Sequence, residues 1–262
     1  LAGFRQVTQA GDAVASIIGA GIIPAGMEMM DKLAVQAAEQ FAHAGYPLDA
    51  AAILIIELDG AQAELSDVTA QVISHLDACG AYQIDQADDA ETQARLWKGR
   101  KSAFPAVGRL SPDYICMDGT IPRHKLAHVL TQIDELSQRF GLAVANVFHA
   151  ADGNLHPLIL FDANVPGQTD HAMAMGGEIL QCCVAAGGTV TGEHGIGVEK
   201  LDTMCVQFTS DELAQFFRIK DAMDPSGVLN PGKGIPTLTR CGELGGMHVH
   251  KGRLPFPELE RF

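Results

Sequence analysis

The sequence has few basic residues. Its 18 lysines and arginines stand against 32 aspartates and glutamates in 262 residues, so the formal charge is −14. A chain with so few cations cannot neutralise a polyanion, which argues against nucleic acid as a partner. Long apolar runs are absent too. The longest uncharged stretch, residues 13–27, is too short for a bilayer and is interrupted by Gly19, Gly21, Pro24 and Gly26, which excludes a spanning helix.

The cysteines lack any Cys-x-x-Cys spacing, which excludes the usual iron–sulfur and thiolate–zinc motifs. There are six of them, scattered along the chain. Scattered thiols of this kind are typical of reduced cysteines in a reducing compartment. The sequence therefore predicts a cytoplasmic protein whose cysteines are reduced. They are Cys79, Cys116, Cys182, Cys183, Cys205 and Cys241.

Helical and strand-like patterns alternate through the first 140 residues, which predicts two βαβ-like halves. Strands are predicted at 24–30, 51–58, 81–85 and 113–117, and helices at 12–19, 32–43, 64–79, 91–104 (stopped by Pro105) and 123–140. Further on, two strand-like runs at 144–148 and 158–162 lie so close together that a hairpin is the simple interpretation. Helices at 168–186 and 211–223 flank a glycine-rich loop, and irregular structure is expected after residue 224.

Two histidines flank the predicted hairpin turn in the stretch HAADGNLHP, residues 149–157. If His149 and His156 are the last and first residues of facing strands, their Cβ atoms lie within about 5.5 Å, and both imidazoles can bind one metal ion. Asp152, Gly153 and Asn154 supply the torsions of a tight turn and need no chemical role. Taken alone, such histidines are more often capping or hydrogen-bonding residues than ligands.

A second stretch, GEHGIG, strengthens the metal hypothesis. Glu193 and His194 lie among glycines, where neither a helix nor a strand is expected and where the backbone can approach a ligand closely. Two histidines and a carboxylate with open positions suit a divalent ion such as zinc or manganese, which would polarise a substrate oxygen. His194 is then available as a base.

Arg100 has two interpretations. It lies in a predicted helix beside Lys101, and such a pair usually forms a solvated basic face. A guanidinium is also the natural partner of a substrate carboxylate. The only tryptophan, Trp97, is expected to anchor the core.

Five stretches together resemble a known family. They are HAADGNLHPLILFD, GGTVTGEHGIGVEK, DPSGVLNPGKGIP, RLWKGRKSAFPAVGR and the tail MHVHKGRLPFPELERF. Jointly they are similar to the C-terminal half of FAD-linked glycolate oxidase subunits, in the vanillyl-alcohol oxidase superfamily alongside D-lactate and D-2-hydroxyglutarate dehydrogenases. The resemblance implies an α+β fold in which ferredoxin-like βαβ halves form an antiparallel sheet flanked by helices.

The resemblance also implies roles for particular residues. Relatives hold a divalent metal on the positions of His149, His156 and Glu193, use the position of His194 as the base, and bind the substrate carboxylate at the position of Arg100. The segment 229–233, with Asn230, is similar to the family segment that returns to the flavin. The reaction implied is removal of the hydroxyl proton of a 2-hydroxy acid and transfer of hydride from its Cα to FAD.

The chain departs from the family pattern at several positions. Ala151 replaces a glycine of the family's turn motif. Phe104, Cys116 and Leu158 replace the threonine, lysine and asparagine that 2-hydroxyglutarate-specific relatives use for a second carboxylate. These apolar replacements indicate a small monocarboxylic substrate such as glycolate or D-lactate.

The expected organisation is a substrate- and metal-binding domain over residues 1–240 and a C-terminal tail over 241–262. The family's FAD-binding domain would precede Leu1, so this chain alone is expected to be inactive. The resemblance further implies other glycolate oxidase subunits as partners, including an iron–sulfur subunit that takes the electrons. Any association of the chain with a membrane would be through these partner subunits.

Two other functions stay open from the residues. One is a stand-alone metal-binding module or metallohydrolase, in which a metal activates water and no flavin takes part. The other is a structural assembly subunit, suggested by the apolar residues of the tail, among which His248 and His250 alternate.

Overall fold

The computed structural model describes residues 1–87 and 89–236, apart from the side chain of Gln62. Its backbone divides into two compact units, residues 1–194 and the described part of residues 195–262. The tail, residues 241–262, lies outside the described residues, so the predictions for it, including those for His248 and His250, stay predictions. The same holds for a domain boundary at residue 240.

The first unit is built on a seven-stranded sheet in the order β4-β1-β3-β2-β6-β7-β5, with every neighbouring pair antiparallel. The strands are β1 Ala2–Phe4, β2 Gly26–Asp31, β3 Ala52–Glu57, β4 Ala81–Ile84, β5 Asp113–Cys116, β6 Val144–His149 and β7 Pro157–Phe161. Its helices are α1 Val7–Gly19, α2 Lys32–Ala42, α3 Gln62–Ala78, α4 Ala90–Lys101, α5 Ala103–Val107, α6 Leu126–Phe140 and α7 Gln168–Ala185.

The sheet consists of two ferredoxin-like halves. Strands β1 to β4 lie in the order 4-1-3-2, and β5, α6, β6 and β7 repeat the arrangement without a fourth strand. In the described part of the chain after α7, Thr189 forms an isolated β-bridge with Thr120 in place of a fourth strand. Strand β6 joins the halves, because it pairs with β7 at its start and with β2 at its end. The predicted α+β fold with an antiparallel sheet is confirmed.

Helices α2, α4 and α5 bury one face of the sheet. The core there combines central-strand residues such as Met30, Ile53 and Val147 with Val35 of α2 and Val107 of α5. Side chains alternate between the two faces of a strand, so a single strand can serve this core and the opposite face at once. Helices α1, α3, α6 and α7 pack together as a second group. Trp97 packs against the core, as predicted.

Three elements differ from the sequence-based prediction. Strand β1 was not predicted, because its three residues are too few to show the alternation of apolar and polar residues that is typical of a strand. Pro105 does not end a helix; it lies in the first turn of α5, where its missing N–H would have no partner within the helix. Helix α8, Leu201–Gln207, was not predicted. The remaining predicted helices and strands are present, with shifted ends.

The second unit contains α8 and α9, Ser210–Met223. Thr209 and Glu212 form a reciprocal capping box that fixes the start of α9. Beyond the helix, the Asp224 carboxylate accepts hydrogen bonds from the backbone N–H groups of Val228 and Leu229. The irregular structure predicted here is therefore a series of turns held by a carboxylate.

The thiols follow the prediction in part. Cys79, Cys182 and Cys183 are free thiols, as expected. Cys205 is disulfide-bonded, so the prediction of reduced cysteines throughout is wrong at this position. Across the described residues, the helices are too short or too polar for any to cross a bilayer.

Asp31 links the end of β2 to α2 and to β6. Its Oδ1 accepts the N–H of Ala34 at 2.9 Å and so caps α2, while Oδ2 accepts the backbone N–H of Asn146 at 2.9 Å and its side-chain amide at 2.8 Å. Burial is the main cause that raises the pKa of Asp31 to about 6, and these hydrogen bonds oppose the rise. The folded chain therefore holds this proton more tightly than the unfolded chain, whose Asp31 titrates near 3.8.

The raised pKa predicts a pH dependence of folding stability. Because the folded-state pKa lies above the unfolded value, this contribution is largest below pH 3.8 and is lost as the pH rises through about 6. Asp31→Asn removes the titration, so its free energy of unfolding relative to the parent should improve by up to about 3 kcal/mol between pH 4 and pH 7. Urea unfolding across that range measures the difference. If the free energies of unfolding of the parent and of Asp31→Asn changed with pH in parallel, the raised pKa of Asp31 would be contradicted.

Candidate metal centre

The predicted hairpin is present, but its register differs from the prediction. His149 exchanges backbone hydrogen bonds with Asn154, with N···O distances of 3.1 and 3.3 Å, and His156 lies opposite Val147 rather than opposite His149. The two histidine rings are nevertheless close, with centroids 5.0 Å apart. The turn places both imidazoles at the same end of the hairpin, as the metal hypothesis requires.

Residues 119–121 hold this turn in place. The N–H of Ile121 donates to Gly153 O and the N–H of Leu155 donates to Gly119 O, each at 2.9 Å. Gly153 has a φ of +73°, and a Cβ there would lie 2.2 Å from Ile121 O, so glycine is required. Ala151 is not in the left-handed region, and its N–H bonds Met27 O at 3.2 Å. Alanine at this position therefore strains no torsion.

The loop that carries Glu193 and His194 contacts the same segment. Thr189 and Thr120 exchange backbone hydrogen bonds at 3.0 and 3.1 Å, directly after α7. Gly192 approaches the hairpin turn so closely that a Cβ would lie 2.4 Å from Asn154 Oδ1. The irregular loop predicted for GEHGIG is confirmed, and it lies against the turn between the two histidines.

Three imidazoles converge on one carboxylate oxygen. Glu193 Oε1 lies 2.9 Å from Nε2 of His156, 3.6 Å from Nε2 of His149 and 3.7 Å from Nε2 of His194. The donor atoms of His149, His156 and Glu193 all lie within 4.8 Å of one another. Two ligands about 2.1 Å from a tetrahedral ion are roughly 3.4 Å apart, so the donor set fits a small divalent ion. The structure thus brings together the three predicted ligands and the predicted base.

The two histidines differ in their surroundings. The side chain of His156 is 3% exposed. Burial, and then the neighbouring imidazoles of His149 and His194, lower the pKa of His156 to about 4. His156 is therefore neutral near pH 7 and has a lone pair to offer. A hydrogen bond with Glu28 raises the pKa of His149.

Glu28 is a functional residue that the sequence reasoning missed. On β2 it pairs with His149, and its Oε1 lies 2.8 Å from His149 Nδ1. This contact assigns the proton to Nδ1 and leaves Nε2 free toward Glu193, as is usual for histidine ligands. The signal that points to it is a carboxylate between methionines in the interior of the strand GMEMMD.

Arg100 is buried and paired, so the interpretation as a solvated basic face is wrong. Its side chain is 9% exposed, and Nε donates to Glu28 Oε2 at 2.9 Å. Nη2 lies 2.7 Å from the same oxygen, yet this buried nitrogen makes no well-formed hydrogen bond with the described residues. Glu28 thus holds the guanidinium in place, and a guanidinium is the natural partner of a substrate carboxylate.

An apolar wall lies beside His156. The ring of Phe104 meets the His156 ring edge to face, with centroids 5.9 Å apart. Cys116 and Leu158 are direct partners across β5 and β7, and Leu158 is 0% exposed. All three residues belong to or pack against the same hydrophobic core. The side of the centre next to His156 therefore has no charged group from these three positions.

Asn230 lies in the second unit, where it is exposed. It adopts a left-handed φ of +46°, and its carbonyl accepts the N–H of Lys233 at 3.2 Å, so the segment 229–233 is a tight turn. Its predicted contact with a cofactor stays a prediction.

Comparison with known proteins gives consistent matches. A family model described as FAD linked oxidases, C-terminal domain, matches residues 1–234. The glycolate oxidase subunit GlcD of Escherichia coli (strain K12) is 59% identical over 262 residues, which cover 100% of this chain and 52% of that protein. The GlcD subunit of Bacillus subtilis (strain 168) is 31% identical over 233 residues, 89% of this chain and 50% of that protein.

More distant matches agree with these. The mitochondrial D-lactate dehydrogenase [cytochrome] of Arabidopsis thaliana is 28% identical over 235 residues, 89% of this chain and 41% of that protein. A crystal structure of p-cresol methylhydroxylase with substrate bound has a TM-score of 0.69 at 17% identity, covering 90% of this chain and 52% of that chain; it supports the fold alone. The chain spans about half the length of the curated relatives it matches.

The convergence of ligands predicts metal binding. Protein stripped with a chelator and reloaded with Zn²⁺ or Mn²⁺ should hold up to about one ion per chain, because the three donors share a single opening. The double variant His149→Ala, His156→Ala should lose that ion. Elemental analysis after desalting measures it.

His171→Ala is the matched control for metal binding, because this ring bonds Phe140 O, remote from the hairpin. It should retain the parent's metal content. Equal metal in the parent and the double variant would show that these histidines are not ligands.

Proposed function

The chain belongs to the family of FAD-linked oxidases, C-terminal domain, and on that premise we propose that it is the substrate-binding part of an FAD-dependent 2-hydroxy acid oxidoreductase. Its substrate is glycolate or D-lactate, and its product is the 2-oxo acid. The observation that carries the proposal is the convergence of three imidazoles on Glu193 Oε1 beside the buried Arg100. The names of the relatives, glycolate oxidase subunits and D-lactate dehydrogenases, support the substrate class.

Arg100 binds the substrate carboxylate in this proposal. Its guanidinium is held by Glu28 and has a buried Nη2 with no well-formed bond to the described residues. Because Glu28 also contacts His149, it fixes the arginine and a metal ligand with one carboxylate. A 2-hydroxy acid carries its hydroxyl one carbon from its carboxylate, so a carboxylate at Arg100 brings the hydroxyl toward the histidines.

His149, His156 and Glu193 would hold a divalent ion, zinc or manganese, which when bound polarises a substrate oxygen. The chain's own contribution is to keep His156 neutral by burial and to direct Nε2 of His149 inward through Glu28. Glu193 is 51% exposed, so the side of the cluster away from His156 stays open to a ligand.

His194 is the proposed base. Its ring stacks on His156, with centroids 4.9 Å apart, and its side chain is 41% exposed, so it can reach a ligand and return a proton to solvent. It removes the hydroxyl proton as the Cα hydrogen leaves with its electron pair. FAD, bound mainly by the rest of the full-length protein and contacted by Asn230, supplies the hydride acceptor.

The proposed protein works with other subunits. Two relatives are named as subunits of glycolate oxidase, which supports an assembly with other subunits. We propose that one of them is an iron–sulfur subunit that takes the electrons from the flavin. We place it in the cytoplasm, with these subunits as its contact with a membrane. The metallohydrolase alternative has no observation that favours it over the oxidoreductase.

The residue roles predict distinct kinetic effects in the full-length enzyme. His194→Ala should lower kcat by about two to four orders of magnitude with little change in substrate binding, because a positioned base acts in the transition state. Arg100→Lys should mainly raise KM, since an ammonium cannot reproduce the fork of a guanidinium. Steady-state kinetics with glycolate measures both, with His171→Ala as the control. Parent-like constants in both variants would refute the assigned roles.

The apolar wall predicts substrate size. D-2-hydroxyglutarate would bring its distal carboxylate against Phe104, Cys116 and Leu158 without a partner, which costs several kcal/mol, so kcat/KM should be at least about 100-fold lower than for glycolate or D-lactate. Cys116→Lys should narrow that gap by supplying a cation, whereas Cys116→Ala, which changes only size, should not. A parent enzyme that prefers the dicarboxylate would overturn the argument.

A further inference from the structure

A buried carboxylate holds the loop that carries Glu193 and His194. Asp118 follows β5 by two residues, and its side chain is 0% exposed. Its Oδ2 accepts three consecutive backbone N–H groups, from Gly192 at 3.0 Å, Glu193 at 2.7 Å and His194 at 2.6 Å. The hydroxyl of Thr191 lies 3.1 and 3.2 Å from its two oxygens, and the carbonyl of Asp118 accepts Gly192 N–H at 2.6 Å.

Successive N–H groups that point to one oxygen form a concave anion-binding arrangement of the backbone. Residues 191–194 have no helix or strand in which to pair these N–H groups, so Asp118 supplies the acceptors that regular structure would otherwise provide. The carboxylate in turn tolerates complete burial because these donors surround it. The backbone from which the Glu193 and His194 side chains project therefore follows the position of Asp118.

The carboxylate does not act on His194 as the third member of a catalytic triad would. The distance from His194 Nδ1 to Asp118 Oδ1 is 4.0 Å, beyond a hydrogen bond. Asp118 contacts the two residues through their backbone, while the Glu193 carboxylate meets His156 and the His194 ring stacks on His156.

We infer that Asp118 is a positioning residue that aims the metal ligand Glu193 and the base His194 at the centre through their backbone N–H groups. The inference rests on the proposed function for the identity of the ligand and base. An amide replaces the carboxylate only in part, because its single oxygen is uncharged and accepts the loop's three N–H groups more weakly than a carboxylate oxygen does.

Two measurements on Asp118→Asn test the inference. Titration calorimetry with Zn²⁺ or Mn²⁺ should show affinity about 10- to 100-fold below the parent's, the range found for partners that orient metal ligands. The visible spectrum of the Co²⁺-loaded variant should also differ from the parent's, since the ligand geometry changes. Asp224→Asn is the matched control: it changes another buried carboxylate that accepts backbone N–H groups, those of Val228 and Leu229, and neither residue is a candidate ligand, so its affinity and spectrum should match the parent's.

Hydrogen exchange separates this inference from the metal proposal. Amides 192–194 should exchange about tenfold faster in Asp118→Asn than in the parent, because each then bonds a neutral amide oxygen, a weaker acceptor than a carboxylate. If the parent binds no metal, the metal centre fails while the exchange rates still decide the role of Asp118. Unchanged exchange at these amides, or parent-like affinity and Co²⁺ spectrum in a metal-binding protein, would overturn the inference.

Thr191→Val is a milder second variant, used if Asp118→Asn does not fold. It removes a single donor to the carboxylate, so metal affinity should fall about two- to tenfold and the same amides should exchange faster. Parent-like behaviour of this variant in both measurements would equally contradict the inference.

Discussion

The centre depends on backbone hydrogen bonds to one short segment. Residues 118–121 continue the chain beyond β5 and bond the hairpin turn on one side and the loop after α7 on the other. Neither the hairpin turn nor the part of the loop around Glu193 and His194 contains a helix or strand that would fix its own position. The segment 118–121 therefore fixes the position of the turn relative to the loop. The imidazoles and the carboxylate converge because the backbone that carries them is held in place.

A buried ion pair supports the other side of the site. Glu28 bonds both Arg100 and His149, so the arginine, the carboxylate and the imidazole form one connected group. Removing one member of a buried pair leaves an uncompensated charge, which typically costs about 3–5 kcal/mol. Changes at Arg100 would consequently reach His149 through Glu28. In the proposed function, Glu28 would therefore couple substrate binding to metal binding without touching either ligand.

Local chemistry in the sequence predicted much of this site, and long-range pairing accounts for what it missed. Asp-Gly-Asn indicated the turn, and glycines around Glu-His indicated the loop, because both signals act over a few residues. Glu28 and Asp118 lie 121 and 75 residues from their partners His149 and Glu193, distances over which no periodicity operates. The predicted register of the hairpin was also wrong, and the turn is bonded to Ile121, a residue distant in sequence that no local pattern connects to it.

The pairing of β2 with β6 has a consequence for the order of folding. Each half of the sheet can pair its strands over modest separations, but β6 meets β2 only after the whole intervening chain has been brought back, and closing so long a loop is slow. Glu28 comes from one half and His149 from the other. The three candidate ligands all follow the first half in the chain, but the contact that orients His149 forms only when the two halves have joined. An ion that prefers the oriented imidazole would therefore stabilise the pairing of β2 with β6.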